Sequence, residues 1–171
     1  MTKKTLYSLL TTTLLLISIQ SCGLYSFKGA SIPNTMKTAS IRFFDNNAPL
    51  VIPYLSQQFT NALIDRIRNQ SRLVIVNNNS DASFEGRITD YKVTATAIQG
   101  NNQTTTNRLT ITVKVKYKNS IQPELSFEES FSRFKDFSIA TSTLQQQEQG
   151  LITDINALLT EDIFNKAFAN W

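Results

Sequence analysis

The chain has 171 residues, with 17 Lys and Arg against 13 Asp and Glu, no histidine and one cysteine. That inventory excludes disulfides, Cys/His zinc clusters, Cys–His nucleophiles and Ser-His-Asp triads before any pattern is read. Two of the basic residues, Lys3 and Lys4, lie in a segment that reads as removable; without them 15 basic residues face 13 acidic ones, and a charge of +2 makes no case for nucleic acid.

Lys3 and Lys4, the Leu/Ile-rich run to Ile19 and the small Ser21 just before Cys22 have the layout of a secretory signal. Ile19-Gln20-Ser21-Cys22 resembles a bacterial lipobox, with Gln20 where a small or β-branched residue is usual. By that resemblance residues 1–21 are a lipoprotein signal peptide and residues 22–171 a single domain. The Cys22 thiol then carries a diacylglycerol, with a further acyl chain, palmitate in type, on the new amino group. Two or three chains hold a protein on a bilayer where one does not. The competing readings are an uncleaved anchor helix and a buried thiol. Against the helix, Thr11, Thr12, Thr13 and Ser18 interrupt a run well short of the roughly 20 apolar residues a span needs.

Behind the cysteine, Gly23 to Gly29 alternates apolar and polar residues, and Ser31-Ile-Pro-Asn34 forms a turn. Tyr25 and Phe27 fit either the membrane interface or a strand. Thr38 to Phe44 reads as a strand ended by Asp45-Asn-Asn47. Pro53 to Arg68 reads as a helix with proline in its first turn and an apolar face of Leu55, Phe59, Ala62, Leu63 and Ile67. Arg72 to Val76 is a second strand, stopped by Asn77 to Asp81. Ala82 to Ala97 is a third, whose apolar parity changes and predicts a bulge near Thr89 and Asp90. Gly100 to Asn107 is a polar hairpin loop.

Arg108 to Lys118 alternates most clearly. Leu109, Ile111, Val113, Val115 and Tyr117 point one way, and Arg108, Thr110, Thr112, Lys114, Lys116 and Lys118 the other. Leu125, Phe127 and Phe131 continue a last strand whose phase slips before Phe134, which predicts another bulge. Ser142 with Gln145 fits a capping box that opens a C-terminal helix, in which Leu151, Ile155, Leu158, Leu159, Phe164 and Phe168 make the apolar stripe. Gly150 marks a weak point in that helix. The order β-α-β-β-β-β-α implies an α+β fold, two helices on one face of a mostly antiparallel sheet, with the lysine row on the face left uncovered.

Chemistry-bearing motifs are few. Ser132-Arg-Phe-Lys135 has the Ser-x-x-Lys spacing of some acyl enzymes, but in a strand positions three apart face opposite ways. Glu128 and Glu129 are adjacent and diverge for the same reason. The sequence offers no metal ligands in a cluster and no cofactor loop. Arg108, Lys114, Lys116 and Lys118 form the one polar constellation. Like charges on one strand face repel unless an anion sits opposite, which suggests a lipid headgroup or an acidic partner; equally, lysines solubilise open faces and guard sheet edges.

Cys22-Gly-Leu-Tyr-Ser-Phe-Lys-Gly-Ala-Ser-Ile-Pro33, followed by Ile41-Arg-Phe-Phe44, resembles the opening of the lipopolysaccharide-assembly lipoproteins (LptE-like), in particular their Bacteroidetes branch. The likeness continues through Phe84 to Tyr91, Arg108 to Val115 and Glu161 to Trp171. The resemblance implies an α/β sandwich held in the outer membrane by its acylated cysteine. It implies a non-enzymatic protein that partners and plugs a large outer-membrane β-barrel and helps deliver lipopolysaccharide to the surface. Arg108, Lys114, Lys116 and Lys118 are then candidates for its headgroup. A periplasmic carrier of a lipid or small ligand is the alternative, and it requires an apolar cavity between sheet and helices.

Overall fold

The computed structural model describes residues 32–98, 105–140 and 142–169. The signal segment, Cys22, the stretch to Ser31, the tip of the predicted hairpin loop and Trp171 lie outside them. The elements are β1 (Thr38–Ile41), β2 (Asp45–Asn46), α1 (Leu55–Gln70), β3 (Val74–Ile75), β4 (Ala82–Ile98), β5 (Thr105–Asn119), a 3₁₀ turn (Pro123–Leu125), β6 (Phe127–Ser138) and α2 (Leu144–Phe168). They form one mixed sheet in the order β3-β1-β4-β5-β6. β1 lies parallel to both β3 and β4, and β4, β5 and β6 form an antiparallel meander. Both helices lie on one face, as the sequence predicts.

β5 is the spine of the core. Leu109, Ile111, Val113 and Val115 are fully buried and Tyr117 nearly so, because strict alternation sends every second side chain under the helices. α1 meets them with Leu55, Phe59, Leu63 and Ile67, and α2 with Ile152, Ile155, Leu159, Ile163, Phe164 and Phe168. Each such side chain contributes about 1.5–3 kcal/mol by leaving water. Phe84, Tyr117 and Phe168 pack with centroids 4.9–5.9 Å apart at one end of this layer. At the other end the Tyr54 and Tyr91 hydroxyls both donate to Glu148, at 2.5 and 2.6 Å, and tie α2 to β4 and to the entrance of α1. Burial, together with that carboxylate, pushes the Tyr54 phenol up to about 12 and the Tyr91 phenol further in the same direction.

The bulge predicted near Thr89 is present, between Ile88 and Asp90. Several expectations need correction. The first strand is not continuous to Phe44: it leaves the sheet after Ile41 and rejoins β4 as β2. Gly86 sits opposite the gap. A Cβ there would lie 2.1 Å from the Lys114 carbonyl oxygen and 2.7 Å from the Phe44 ring. The absent side chain lets Phe44 pass inward, where it is fully buried edge-on to Phe59 and its N–H donates to Thr60 Oγ1 at 3.1 Å. β6 has no bulge: its register to β5 is unbroken from Phe127 to Ser138. Phe134 breaks the apolar phase because it faces outward, 47% exposed, beneath the Arg108 guanidinium at 3.6 Å. Leu125 belongs to the 3₁₀ turn. The capping box is Thr143 with Gln146, one residue later than predicted, and α2 runs through Gly150 without a break.

Asp81 closes the start of the sheet. Its Oδ2 accepts from the Lys37 and Thr38 N–H groups and from Thr38 Oγ1, at 2.8–3.0 Å. These bonds, that from Lys37 first, hold its carboxyl below the ordinary 3.8. The stability they add is complete above that value and is lost as pH falls through the lowered one. Asp81→Asn is therefore expected to lower the urea midpoint at neutral pH and to flatten its decline below about pH 4; an unchanged acid limb would refute the assignment. Gly86→Ala forces backbone apart and is expected to cost about 3 kcal/mol in equilibrium unfolding. A loss under 1 kcal/mol would show that strand and ring relax freely.

Candidate functional site

The face of the sheet away from the helices carries the polar half of each alternation. Glu85 and Arg87 on β4, Arg108, Lys114, Lys116 and Lys118 on β5, and Glu128 and Asp136 on β6 project there together. Carboxylates of β4 and β6 thus flank the cations of β5, although Arg87 itself stands opposite Lys114. Lys114 meets Glu128 at 2.7 Å, Lys116 meets Glu85 at 3.0 Å, and Arg42 reaches the same Glu85 at 3.2 Å. Arg108 grips Asp136 with two bonds of 2.7 and 2.9 Å.

The predicted basic row is therefore three cation–carboxylate pairs followed by Lys118, which has no ion pair among the described residues. Hydrogen bonding from Lys116, with the charges of Lys116 and Arg42, holds the Glu85 carboxyl below its ordinary value. Lys114 does the same for Glu128, and Arg108 for Asp136.

The break between β1 and β2 opens a hollow in this face. Arg42, Phe43, Asp45 and Asn47 form one wall, Glu85, Gly86 and Arg87 the floor, and Lys114, Lys116 and Glu128 the far side, around a volume of about 500 Å³. A second hollow of about 310 Å³ adjoins it across Arg42 and Glu85 and is lined by Ser40, Asn77, Asn78, Asn79, Ser80, Ser83, Lys118 and Ser120. The loop Asn77–Ser80 reaches over β1 here, with Ser80 Oγ 2.7 Å from Ser40 Oγ. Asn79 takes a left-handed φ of 52°, which asparagine tolerates better than most residues.

Of the residues singled out from sequence, Lys114, Lys116 and Lys118 line the joined hollows. Arg108 lies farther along β5, outside them. Cys22 is outside the described residues. Arg42, Phe43 and Arg87 were not foreseen as site residues; the one signal for them is a glycine inside a strand pattern, which marks close backbone approach. Ser132 and Lys135 diverge: Ser132 Oγ bonds Thr112 Oγ1 at 3.1 Å on the open face, and Lys135 meets Asp154 of α2 at 3.2 Å on the other. They form no catalytic pair. No group of His, Cys, Asp and Glu among the described residues could hold a metal ion.

Glu85 is expected to titrate below 4.5 in an NMR pH series, and Lys116→Gln to move its midpoint up toward that value. A midpoint that the substitution leaves in place would mean the pair does not persist in solution.

The sequence profile of the lipopolysaccharide-assembly family LptE matches residues 36–167. No curated protein sequence matches the chain. Among solved structures, a lipoprotein B from Nitrosomonas europaea aligns over 85% of this chain and 90% of its own, with TM-score 0.53 and 17% identity. Rare lipoprotein B from Shewanella oneidensis aligns over 75% and 92%, with TM-score 0.52 and 10% identity. A hypothetical protein from Chlamydia trachomatis aligns over 79% and 99%, with TM-score 0.55 and 8% identity. At these identities the structures speak for the fold alone, a helix pair on one face of a mixed sheet. The family match spans β1 to the last turn of α2, and the chain belongs to the lipopolysaccharide-assembly LptE family.

Proposed function

We propose that this chain is an outer-membrane lipoprotein, processed after residue 21 and anchored through acylated Cys22. In this reading residues 22–171 form one non-enzymatic domain, which partners and plugs a large β-barrel that passes lipopolysaccharide to the outer leaflet. The observation that carries the proposal is the family match over nearly the whole folded domain. It is supported by the lipobox-like sequence ten residues ahead of the first described residue, Ile32. No helix among the described residues is long and apolar enough to cross a membrane, so the proposed attachment rests on the acyl chains.

Action by surface contact agrees with what the domain presents. Arg108, Lys114, Lys116 and Lys118 stand on the open face as the proposed contacts to the phosphates of the lipopolysaccharide headgroup. The three that are paired can exchange a carboxylate for a phosphate, since exposed pairs of this kind hold only weakly. The carrier alternative draws no support from the core: Phe44, Phe59, Phe84, Ile88, Leu109 and Ile152 fill the space between sheet and helices and are fully buried. The larger hollows described above open on the polar face instead.

Full-length protein purified from its native outer membrane in mild detergent is expected to retain a stoichiometric β-barrel through a salt wash. Cys22→Ser is expected to abolish incorporation of labelled palmitate and to release the protein from the membrane fraction. Recovery of the wild type alone, or with a small lipid only, would overturn the partner reading. Undiminished palmitate labelling of the variant would overturn the anchor.

A further inference from the structure

Backbone directions along β4 leave one stretch of the sheet without a neighbour. Below the bulge at Thr89, the Phe84 and Ile88 carbonyls accept from Arg42 and Asn47, so β1 and β2 fill that side of the strand. Beyond Ile88 no strand pairs with it among the described residues. On β5 the Ser120 N–H donates to Asp81, which turns the even-numbered residues of β5 toward β4. Their partners above the bulge, Asp90, Lys92 and Thr94, therefore direct their ladder bonds to Thr112, Thr110 and Arg108. Tyr91, Val93 and Ala95 turn their N–H and C=O groups to the empty side, where no described residue bonds to them.

The outer strands of the sheet are protected, and this stretch is not. β6 carries Glu128, Glu129, Arg133, Lys135 and Asp136, and β3 is two residues long. From Val93 to Thr96 β4 has only small and β-branched side chains and no charge, and Val93, Ala95 and Thr96 are exposed. The connection from β2 to α1 leaves beside Ile88 and ends at Tyr54, whose hydroxyl shares Glu148 with that of Tyr91. It passes the foot of the free edge and carries Leu50 and Val51, both more than half exposed. Asp90 and Lys92 stand on the other face, and neither is ion-paired among the described residues.

Unpaired backbone groups, with apolar side chains on one face and a lone cation on the other, match an added strand. A second copy of the chain does not fit. In a two-fold antiparallel pairing about Val93, the other copy's Thr96 to Ile98 would descend to the level of Ile88, whose carbonyl Asn47 already occupies. A single extended segment that stops short of Ile88 meets no such obstruction. We propose that the edge of β4 from Tyr91 to Ala95 takes up an extended segment, about five residues long, of another polypeptide. Its alternate apolar side chains lie against Val93, Leu50 and Val51, and an acidic residue on its other face meets Lys92. The inference does not rest on the barrel partnership proposed above, since any chain of that pattern would pair.

The test joins residue-resolved amide exchange to photocrosslinking, both on the full-length lipoprotein. In the isolated protein in detergent the Val93 and Ala95 amides are expected to exchange about a hundredfold faster than those of Lys92 and Thr94. In material purified from the native outer membrane they are expected to slow to the same rates. A photoreactive residue at 93 or 95, introduced in cells, is expected to capture one polypeptide, at sites two residues apart in a segment that contains an acidic residue. Val93→Pro removes an N–H that the fold does not use, and Ala95→Lys adds a charge without touching the backbone. Each is expected to leave the urea midpoint in place and to lower capture at the other position about tenfold. Slow Val93 and Ala95 exchange in the isolated protein at every concentration would mean that the chain covers its own edge, and protection that grows with concentration would mean a second copy. Either result, or capture undiminished in both variants, would overturn the proposal. If a barrel co-purifies undiminished with both variants and nothing is captured at 93 or 95, the edge is overturned and the assembly role stands. Capture with the expected pattern while no barrel associates supports the edge and overturns the barrel partnership.

Discussion

Phe44 can enter the core only because Gly86 carries no side chain, and much of the molecule is arranged around that passage. Inward, the Phe44 ring sits against Phe59 and its N–H is held by Thr60, which fixes the height of α1 over the sheet. Outward, the same three-residue detour turns Arg42 and Phe43 onto the open face and parts β1 from β2. Either side alone would be an ordinary packing detail. Together they mean that one close contact between strands, 42 residues apart in sequence, sets both the helix layer and the shape of the polar surface.

Strong local periodicity made part of this legible in the sequence. β5 alternates without exception from Arg108 to Lys118, and α1 repeats its apolar residues at helical spacing, so their faces follow directly. The parity change in β4 located a true bulge. In β6 the same signal misled, because Phe134 is an aromatic on the wet face, stabilised by Arg108 above its ring, and a period rule treats every aromatic as inward. The capping box was shifted because Ser142–Gln145 and Thr143–Gln146 satisfy one template equally well. The choice depends on Gln147, whose side chain bonds the Ser138 and Ser142 carbonyls and sets where the chain turns.

The candidate site was less legible for a different reason. A row of lysines on one strand looks uncompensated until the neighbouring strands are known, and here the carboxylates come from Glu85, Glu128 and Asp136 on both sides. Charge pairing across a sheet is decided by register, which a single strand does not encode. On the helix side β6 repeats the theme: Glu129, Arg133 and Lys135 meet Lys166, Asp162 and Asp154 of α2, so the outer strand is sealed to the helix by ions where its neighbours are sealed by hydrocarbon. The domain thereby keeps charged side chains on both faces of an edge strand, which discourages another chain from pairing with it.

β1 is four residues long, yet it lies between two parallel partners, β3 and β4, and its entrance is fastened by Asp81 to the Lys37 and Thr38 amides. If the chain ahead of it is tethered, any pull on the domain enters along the axis of this strand. Parallel neighbours on both sides place the ladder bonds, such as Val74 to Lys37 and Arg42 to Phe84, side by side against that load. They must then shear together, whereas a hairpin pulled from its open end unzips one bond at a time. The strand through which such a load would enter the core is thus also held in its mechanically stiffest direction.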